Sequence, residues 1–169
     1  MKVIKIDARE PNPEIISEAV QILRKGGLVV FPTETVYGLA ANALDPDAAK
    51  KIFKVKGRPG NKPLIILIAK LDDLNCVAED ILKETFVLAE KFWPGPLTLV
   101  LKAAEIIPEE ITAGGGTIAV RFSSHPVALA LTAELGSPIT APSANLSGKP
   151  SPRTIDEILK DFKNSKEIE

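Results

Sequence analysis

Three segments of this 169-residue chain combine side chains whose types and spacing suit chemistry. The first is Pro32-Thr33-Glu34-Thr35-Val36-Tyr37-Gly38-Leu39, directly after the apolar stretch Leu28–Phe31. Its hydroxyls alternate with a carboxylate at the carboxyl end of an expected strand, the place where open α/β sheets hold ligands. A threonine-rich turn with Tyr37 packed on the core accounts for the same residues, and this segment alone leaves both readings open. The second is the basic run Lys50, Lys51, Lys54, Lys56, Arg58 and Lys62. Its first three cations fall on an expected helix and read as a solvated face. Lys56-Gly57-Arg58-Pro59 instead enters a Gly/Pro turn, where Lys as a point charge and Arg as a planar fork can converge on one anion. The third is Ala141-Pro142-Ser143-Ala144-Asn145-Leu146-Ser147-Gly148-Lys149-Pro150-Ser151-Pro152. Small hydroxyl and amide groups in a rigid loop suit close approach to phosphate or ribose oxygens, although these are also ordinary turn residues.

Other chemistries are disfavoured by what the sequence lacks. There is no GxxxxGK[ST] phosphate loop and no GxGxxG, and Gly114-Gly115-Gly116 reads as a strand connection. One cysteine, Cys76, excludes an internal disulfide or a multi-Cys zinc site, and reads as a small, partly buried residue. One histidine, His125, reads as a turn residue before Pro126 and leaves little room for a Ser-His-Asp triad. Chemistry here therefore rests on positioning and charge neutralisation, not on a covalent nucleophile.

Alternating helices and strands must hold these segments. Val3–Ile6 reads as a short strand; Asn12 caps a helix from Pro13 that Gly26-Gly27 ends. Leu28–Phe31 is a buried strand, and Asp45 caps a helix running from Pro46 to about Lys56. Leu64–Ala69 is an apolar strand, and a helix is expected from about Asp80 to Phe92, ending at Trp93-Pro94-Gly95-Pro96. Leu97–Leu101 and Thr117–Phe122 read as strands, Pro126–Leu135 as a helix, Pro138–Ala141 as a short strand and Thr154–Phe162 as a final helix. The fold class is α/β around a mixed sheet, in one domain over residues 1–169, with 163–169 a polar tail that is frayed or cut. No apolar run approaches the ~20 residues that cross a bilayer. A cytoplasmic location without membrane contact is the default expectation, and a net charge of −1 gives no global signature of a nucleic-acid binder.

Taken in order, these segments resemble the YrdC-like family of threonylcarbamoyl-AMP synthases. The matching residues are Pro32–Leu39, Lys56-Gly57-Arg58-Pro59 with Lys62-Pro63-Leu64, Trp93–Thr98, Ala119-Val120-Arg121, and Pro142-Ser143-Ala144-Asn145 with Ser147-Gly148. The family's signature joins a Lys-x-Arg pair to a Ser-x-Asn pair in space, here Lys56/Arg58 and Ser143/Asn145.

The resemblance implies a twisted, mostly parallel sheet with flanking helices and a concave, positively charged face. It implies a nucleotidyltransferase that makes L-threonylcarbamoyladenylate and pyrophosphate from L-threonine, bicarbonate and ATP, for threonylcarbamoyladenosine modification of tRNA. Thr35, Arg121 and Ala141 would line the threonine pocket. Arg58, Lys62, Thr117, Ser143 and Ser151 would contact ATP, with Lys56 and Asn145 completing the catalytic set. Mg2+ would arrive with ATP and need no protein cage. The product would pass to a downstream threonylcarbamoyl-transferase machinery; whether tRNA itself binds is left open.

Two departures accompany the resemblance. Leu67 stands where many members place His, which removes a possible threonine contact. The chain stops soon after Thr154, so closure by an additional C-terminal domain is not expected here. The chief alternative is a non-enzymatic RNA-binding module using the Lys50–Lys62 patch. A carbamoyl-transfer domain of hydrogenase maturation proteins would bring Cys-rich zinc segments, which one Cys does not supply.

Overall fold

The computed structural model describes residues 2–163, 165, 167 and 168. Its helices start where local chemistry starts them. Helix α1 (Pro13–Arg24) opens with Asn12 accepting from the Glu14 amide at 2.8 Å and buries Ile16, Val20 and Leu23. After β1 (Val29–Phe31) and β2 (Gly38–Ala40), Asp45 caps α2 (Pro46–Lys56) by accepting from the Asp47 and Ala48 amides. Gly57 ends α2 in the left-handed region at φ +56°, a conformation that costs a side chain with Cβ more than it costs glycine.

The chain continues through β3 (Ile65–Leu67), a 3-10 turn (Leu71–Asp73), α3 (Leu74–Val77), β4 (Ala78–Glu79) and α4 (Lys83–Phe92). Then follow β5 (Leu99–Ala103), α5 (Glu109–Thr112), β6 (Thr117–Arg121), α6 (Pro126–Leu135), β7 (Ile139–Thr140) and α7 (Ile155–Phe162). His125 is the N-cap of α6, its Nδ1 accepting from the Val127 amide at 3.2 Å. Thr154 and Glu157 form a reciprocal capping box on α7.

A five-stranded sheet in the order β4-β5-β6-β3-β7 organises these elements, beside the hairpin β1-β2. The sheet is mixed, as expected, but parallel pairing does not dominate it. Among the described residues β3 and β6 pair parallel, whereas β3-β7, β4-β5 and β5-β6 pair antiparallel. Strand direction depends on how connections cross the sheet, which no local pattern encodes. One face carries Ile66, Ile118 and Val120 into a core with Leu39 and Ile52. Toward β7, the opposite face packs Leu67 and Ile139 against Leu23, Phe31 and Leu131 of a second cluster. Each such fully buried side chain contributes up to about 1.5–3 kcal/mol of transfer free energy.

Several expectations change. Val3–Ile6 forms no strand; it lies largely exposed with no partner strand beside it. The helix expected from Asp80 starts at Lys83, because Asp80 sits at φ +50°, outside helical space. Cys76 is exposed, not partly buried. Of the tail 163–169, residues 164, 166 and 169 lie outside the described residues, while Ile168 is 1% exposed and bridges Leu28 in parallel register.

Candidate active site

The threonine-rich segment is fixed first by itself. Thr33 Oγ1 donates to the Val36 carbonyl at 2.6 Å and accepts from the Thr35 and Val36 amides at 3.2 Å. The chain then turns into β2, a strand that no local pattern announces. Gly38 sits so close to Phe31 that a Cβ there would lie 2.9 Å from two ring carbons. The 142–152 loop runs alongside: Leu39 N donates to the Pro142 carbonyl, Ala144 N to that of Tyr37, and Tyr37 N to that of Pro152. Two of the three chemically suggestive segments therefore form one wall, with Ser151 exposed beside it.

The third joins through Lys56. Its Nζ donates to the carbonyls of Ser143 at 2.5 Å and Asn145 at 2.6 Å, and the residue is only 2% exposed. Burial, and secondarily the Arg58 charge, pushes its pKa down to about 8 against the opposing pull of Asp161. Lys56 is thus tied to the loop carbonyls while lying close enough to Arg58 to feel its charge. Gly57 turns the chain between them, so Lys56 points into the loop while Arg58 donates outward to the carbonyls of Lys62 at 3.2 Å and Pro63 at 2.9 Å. Lys62 is exposed on the same turn. Asn145, buried with Lys56, donates from Nδ2 to the carbonyls of Leu146 and Lys149. Its Oδ1 is buried without a hydrogen-bond partner among the described residues. An orphaned acceptor of this kind is stabilised by any ligand donor that reaches it.

Arg121 closes β6 and gathers a second polar cluster. Its guanidinium donates to Thr98 Oγ1 from Nε and Nη2 at 3.1 Å, to Thr35 Oγ1 at 3.2 Å and to Glu34 Oε1 at 3.3 Å. Glu34 Oε2 accepts from the hydroxyl of Ser123, which is itself buried and accepts from the His125 amide. Burial lowers the His125 pKa, with Glu34 pulling the other way.

Strand register puts these residues in a common frame. Ile65 pairs with Ala119 and Leu67 with Arg121, while Val100 pairs with Ala119 and Lys102 with Thr117. Ala141 bonds back to Ile65, so Ala141, Ile65, Ala119 and Val100 form a row of small or apolar residues across one face. Thr117 and Arg121 flank that row, about 13 Å apart along β6. Thr35, Arg121 and Ala141 therefore border one surface, and Leu67, on the same face beside Arg121, joins the second hydrophobic cluster. A separate cavity of about 410 Å³ between residues 2–8, α1 and α6 is mainly apolar and meets the threonine-rich segment only at Pro32 and Tyr37. We place the site at the convergent polar groups instead.

Glu34, Thr98, Ser123 and Asp161 are parts of this arrangement that sequence reading did not single out as site residues. Glu34 lay inside the threonine-rich segment and Thr98 inside a block that resembles the family; Ser123 and Asp161 gave no local signal. Lys50, Lys51 and Lys54 are each engaged, by Asp47 and Glu110, by the Gly26 carbonyl, and by Glu167. Among the described residues no group of three or more His, Cys, Asp or Glu gathers to hold a metal ion, and no helix is long and apolar enough to cross a membrane.

Residues 21–168 match the family model Sua5_yciO_yrdC, described as "Telomere recombination". The chain belongs to the Sua5/YciO/YrdC family. Within this family it is 54% identical over 160 residues to the threonylcarbamoyl-AMP synthase of Pyrococcus abyssi, covering 94% of this chain and 47% of the relative. It is 35% identical to the threonylcarbamoyl-AMP synthase of Halorhodospira halophila, covering 89% of this chain and 79% of that one. The crystal structure of P. abyssi Sua5 complexed with L-threonine superposes with a TM-score of 0.93 at 48% identity, over 98% of this chain and 49% of that one. The chain thus spans about half the length of its P. abyssi relative.

Proposed function

We propose that this member of the Sua5/YciO/YrdC family catalyses formation of L-threonylcarbamoyladenylate and pyrophosphate from L-threonine, bicarbonate and ATP. The observation that carries this reading is the polar wall in which Lys56 ties the Lys-x-Arg turn to the Ser-x-Asn loop while Arg121 meets Thr35 on the adjoining face. The names of the relatives, and the threonine complex of one of them, support it.

Threonine and bicarbonate first condense to a carbamate: the amine nitrogen bonds to the bicarbonate carbon and one oxygen leaves as water. The carbamate carboxylate attacks the α-phosphorus of ATP; the bond to the β-phosphate oxygen breaks, and pyrophosphate leaves. Such displacement needs alignment and charge neutralisation more than a protein nucleophile. Arg58 and Lys62 supply cations on an exposed turn for the phosphates; Ser143, Ser151 and Thr117 offer hydroxyls to the nucleotide. Arg121 takes the amino-acid carboxylate. With one N–H of Nη2 beyond its contacts to Thr98, Glu34 and Thr35, it binds that carboxylate by adding a bond or exchanging the one to Thr35. Ala141 and the apolar row give the threonine side chain and the base a dry floor. Mg2+ belongs to the substrate as MgATP.

The product then serves a threonylcarbamoyl-transferase that modifies tRNA, in the cytoplasm. Helix lysines already engaged by Asp47, Glu167 and the Gly26 carbonyl give little support to the alternative of a phosphate-tracking RNA module. The test is to supply purified protein with ATP, magnesium, bicarbonate and L-threonine. Pyrophosphate release and adenylate formation that need both threonine and bicarbonate are expected; release indifferent to either overturns the reading.

A further inference from the structure

Asp161 lies in the last turn of α7, outside every motif described above. A carboxylate there opposes the helix dipole, which favours cations at the C-terminal end. It is also largely withdrawn from water, its side chain only 8% exposed. A group placed at two such disadvantages needs a compensating contact, and the structure provides one on the neighbouring loop. Asp161 Oδ2 accepts from the Leu146 amide at 3.0 Å and Oδ1 from Lys149 Nζ at 2.5 Å. These contacts hold the 143–149 loop at Leu146 and Lys149, while Lys56 holds it at the carbonyls of Ser143 and Asn145. Asn145 Nδ2 closes the loop internally on Lys149 O at 2.7 Å. The helix is itself a firm support: Thr154 and Glu157 cap its start, and Ile158 and Phe162 anchor it in the core.

We infer that Asp161 is a positioning residue that holds the Ser143–Lys149 loop against Lys56, in the geometry its nucleotide contacts require. The inference rests on the proposed adenylate synthesis for its functional readout, but not for its structural one. Charge gives the arrangement a further consequence. The charged groups facing Asp161 are Lys149 from the loop and Lys56 from the end of α2; burial raises its pKa, but Lys149, the Leu146 amide and Lys56 together hold it below the usual carboxylate value. Asp161 in turn favours the protonated form of Lys56, the form that donates to the loop.

The test compares wild type with Asp161→Ala, Asp161→Asn and Lys149→Ala. Amide hydrogen exchange, which needs no activity, should quicken roughly tenfold or more at Ala144–Lys149 in Asp161→Ala with little change in the sheet. In steady-state assays kcat/KM for ATP should fall roughly ten- to hundredfold while KM for threonine stays within about twofold. The alkaline limb of the pH profile should move to lower pH in both Asp161 variants, because Lys56 loses its favourable neighbour. Lys149→Ala, which removes only a half-exposed ion-pair partner, should cost less than about threefold. Loop exchange that is unchanged in Asp161→Ala overturns the inference, as does a common rise in both KM values without a shift of the alkaline limb. A wild type that forms no adenylate defeats the proposed function, and loop exchange then decides the positioning role alone.

Discussion

Arg121 and Glu34 form an ion pair at 3.3 Å with side chains only 18% and 16% exposed, at the point where an amino-acid carboxylate is expected to dock. Glu34 is anchored from behind by the buried hydroxyl of Ser123. It holds the fork of Arg121 beside Thr35 and Thr98 and offsets its charge. Removing one partner of such a pair leaves the other desolvated and misdirected.

The first prediction follows from this pair. Glu34→Ala should raise KM for L-threonine roughly tenfold or more, since charge-assisted bonds contribute about 1.5–3 kcal/mol and about 1.4 kcal/mol is a decade. Glu34→Gln keeps an acceptor for Arg121 and should recover part of the loss, whereas KM for ATP should hardly move. Steady-state kinetics with each substrate varied in turn measures this, and equal effects on both substrates would contradict it.

Arg58 separates binding from scaffold. Its contacts within the protein are to two loop carbonyls on an exposed turn, so Arg58→Ala should shift stability by only about 0.5–1 kcal/mol. Adenylate formation should nevertheless fall by roughly one to two orders of magnitude. Arg58→Lys should rescue only partly, because a point charge cannot copy the planar fork. Lys50→Ala, on a helix face where Asp47 and Glu110 engage the ammonium, should leave turnover nearly unchanged. Melting curves beside pyrophosphate assays check all three.

Lys56 sets stability and activity against each other in pH. Its pKa of about 8 in the folded state lies below the ordinary 10.5, so between these values the unfolded chain holds more protons than the folded one. The contribution of Lys56 to folding stability therefore rises as pH climbs through that window, because an unfavourable buried charge is lost. Activity should move the other way, since neutral Lys56 grips the loop carbonyls more weakly. The expected result is an alkaline limb of ATP turnover near pH 8. In denaturant titrations, the stability difference between wild type and Lys56→Met should shift toward wild type from pH 8 to 10.5. A stability difference constant across that range would refute it.

Selectivity among amino acids tests the pocket itself. A site built around a substrate hydroxyl rejects an analogue lacking it strongly, whereas one methyl is worth only about 1–3 kcal/mol. Valine should therefore be a far worse substrate than serine, measured as competing kcat/KM values. Comparable turnover of valine and threonine would show that Thr35, Arg121 and Ala141 do not line the amino-acid site.

What the sequence by itself determined was local. Asn12 and Asp45 announced the helices they cap, because a capping bond spans only two or three residues. The Pro32–Leu39, Lys56–Pro59 and Pro142–Pro152 segments stood out by their clustered hydroxyls, cations and turn residues, but each alone also reads as a turn. What only the tertiary structure decided depends on partners far apart in the chain. The strand at Gly38–Ala40 exists through its pairing with Val29–Phe31 and its bridge to Ser143. Val3–Ile6, which reads locally as a strand, has no such partner among the described residues and is no strand. Lys56 and Arg58 are two residues apart in sequence, yet around the left-handed Gly57 one is buried against the loop carbonyls and the other bonds within the exposed turn. Glu34 meets Arg121, and Asp161 meets Leu146, across 87 and 15 residues of chain. Burial and charge at these positions are properties of the assembled neighbours, so no local pattern carries them.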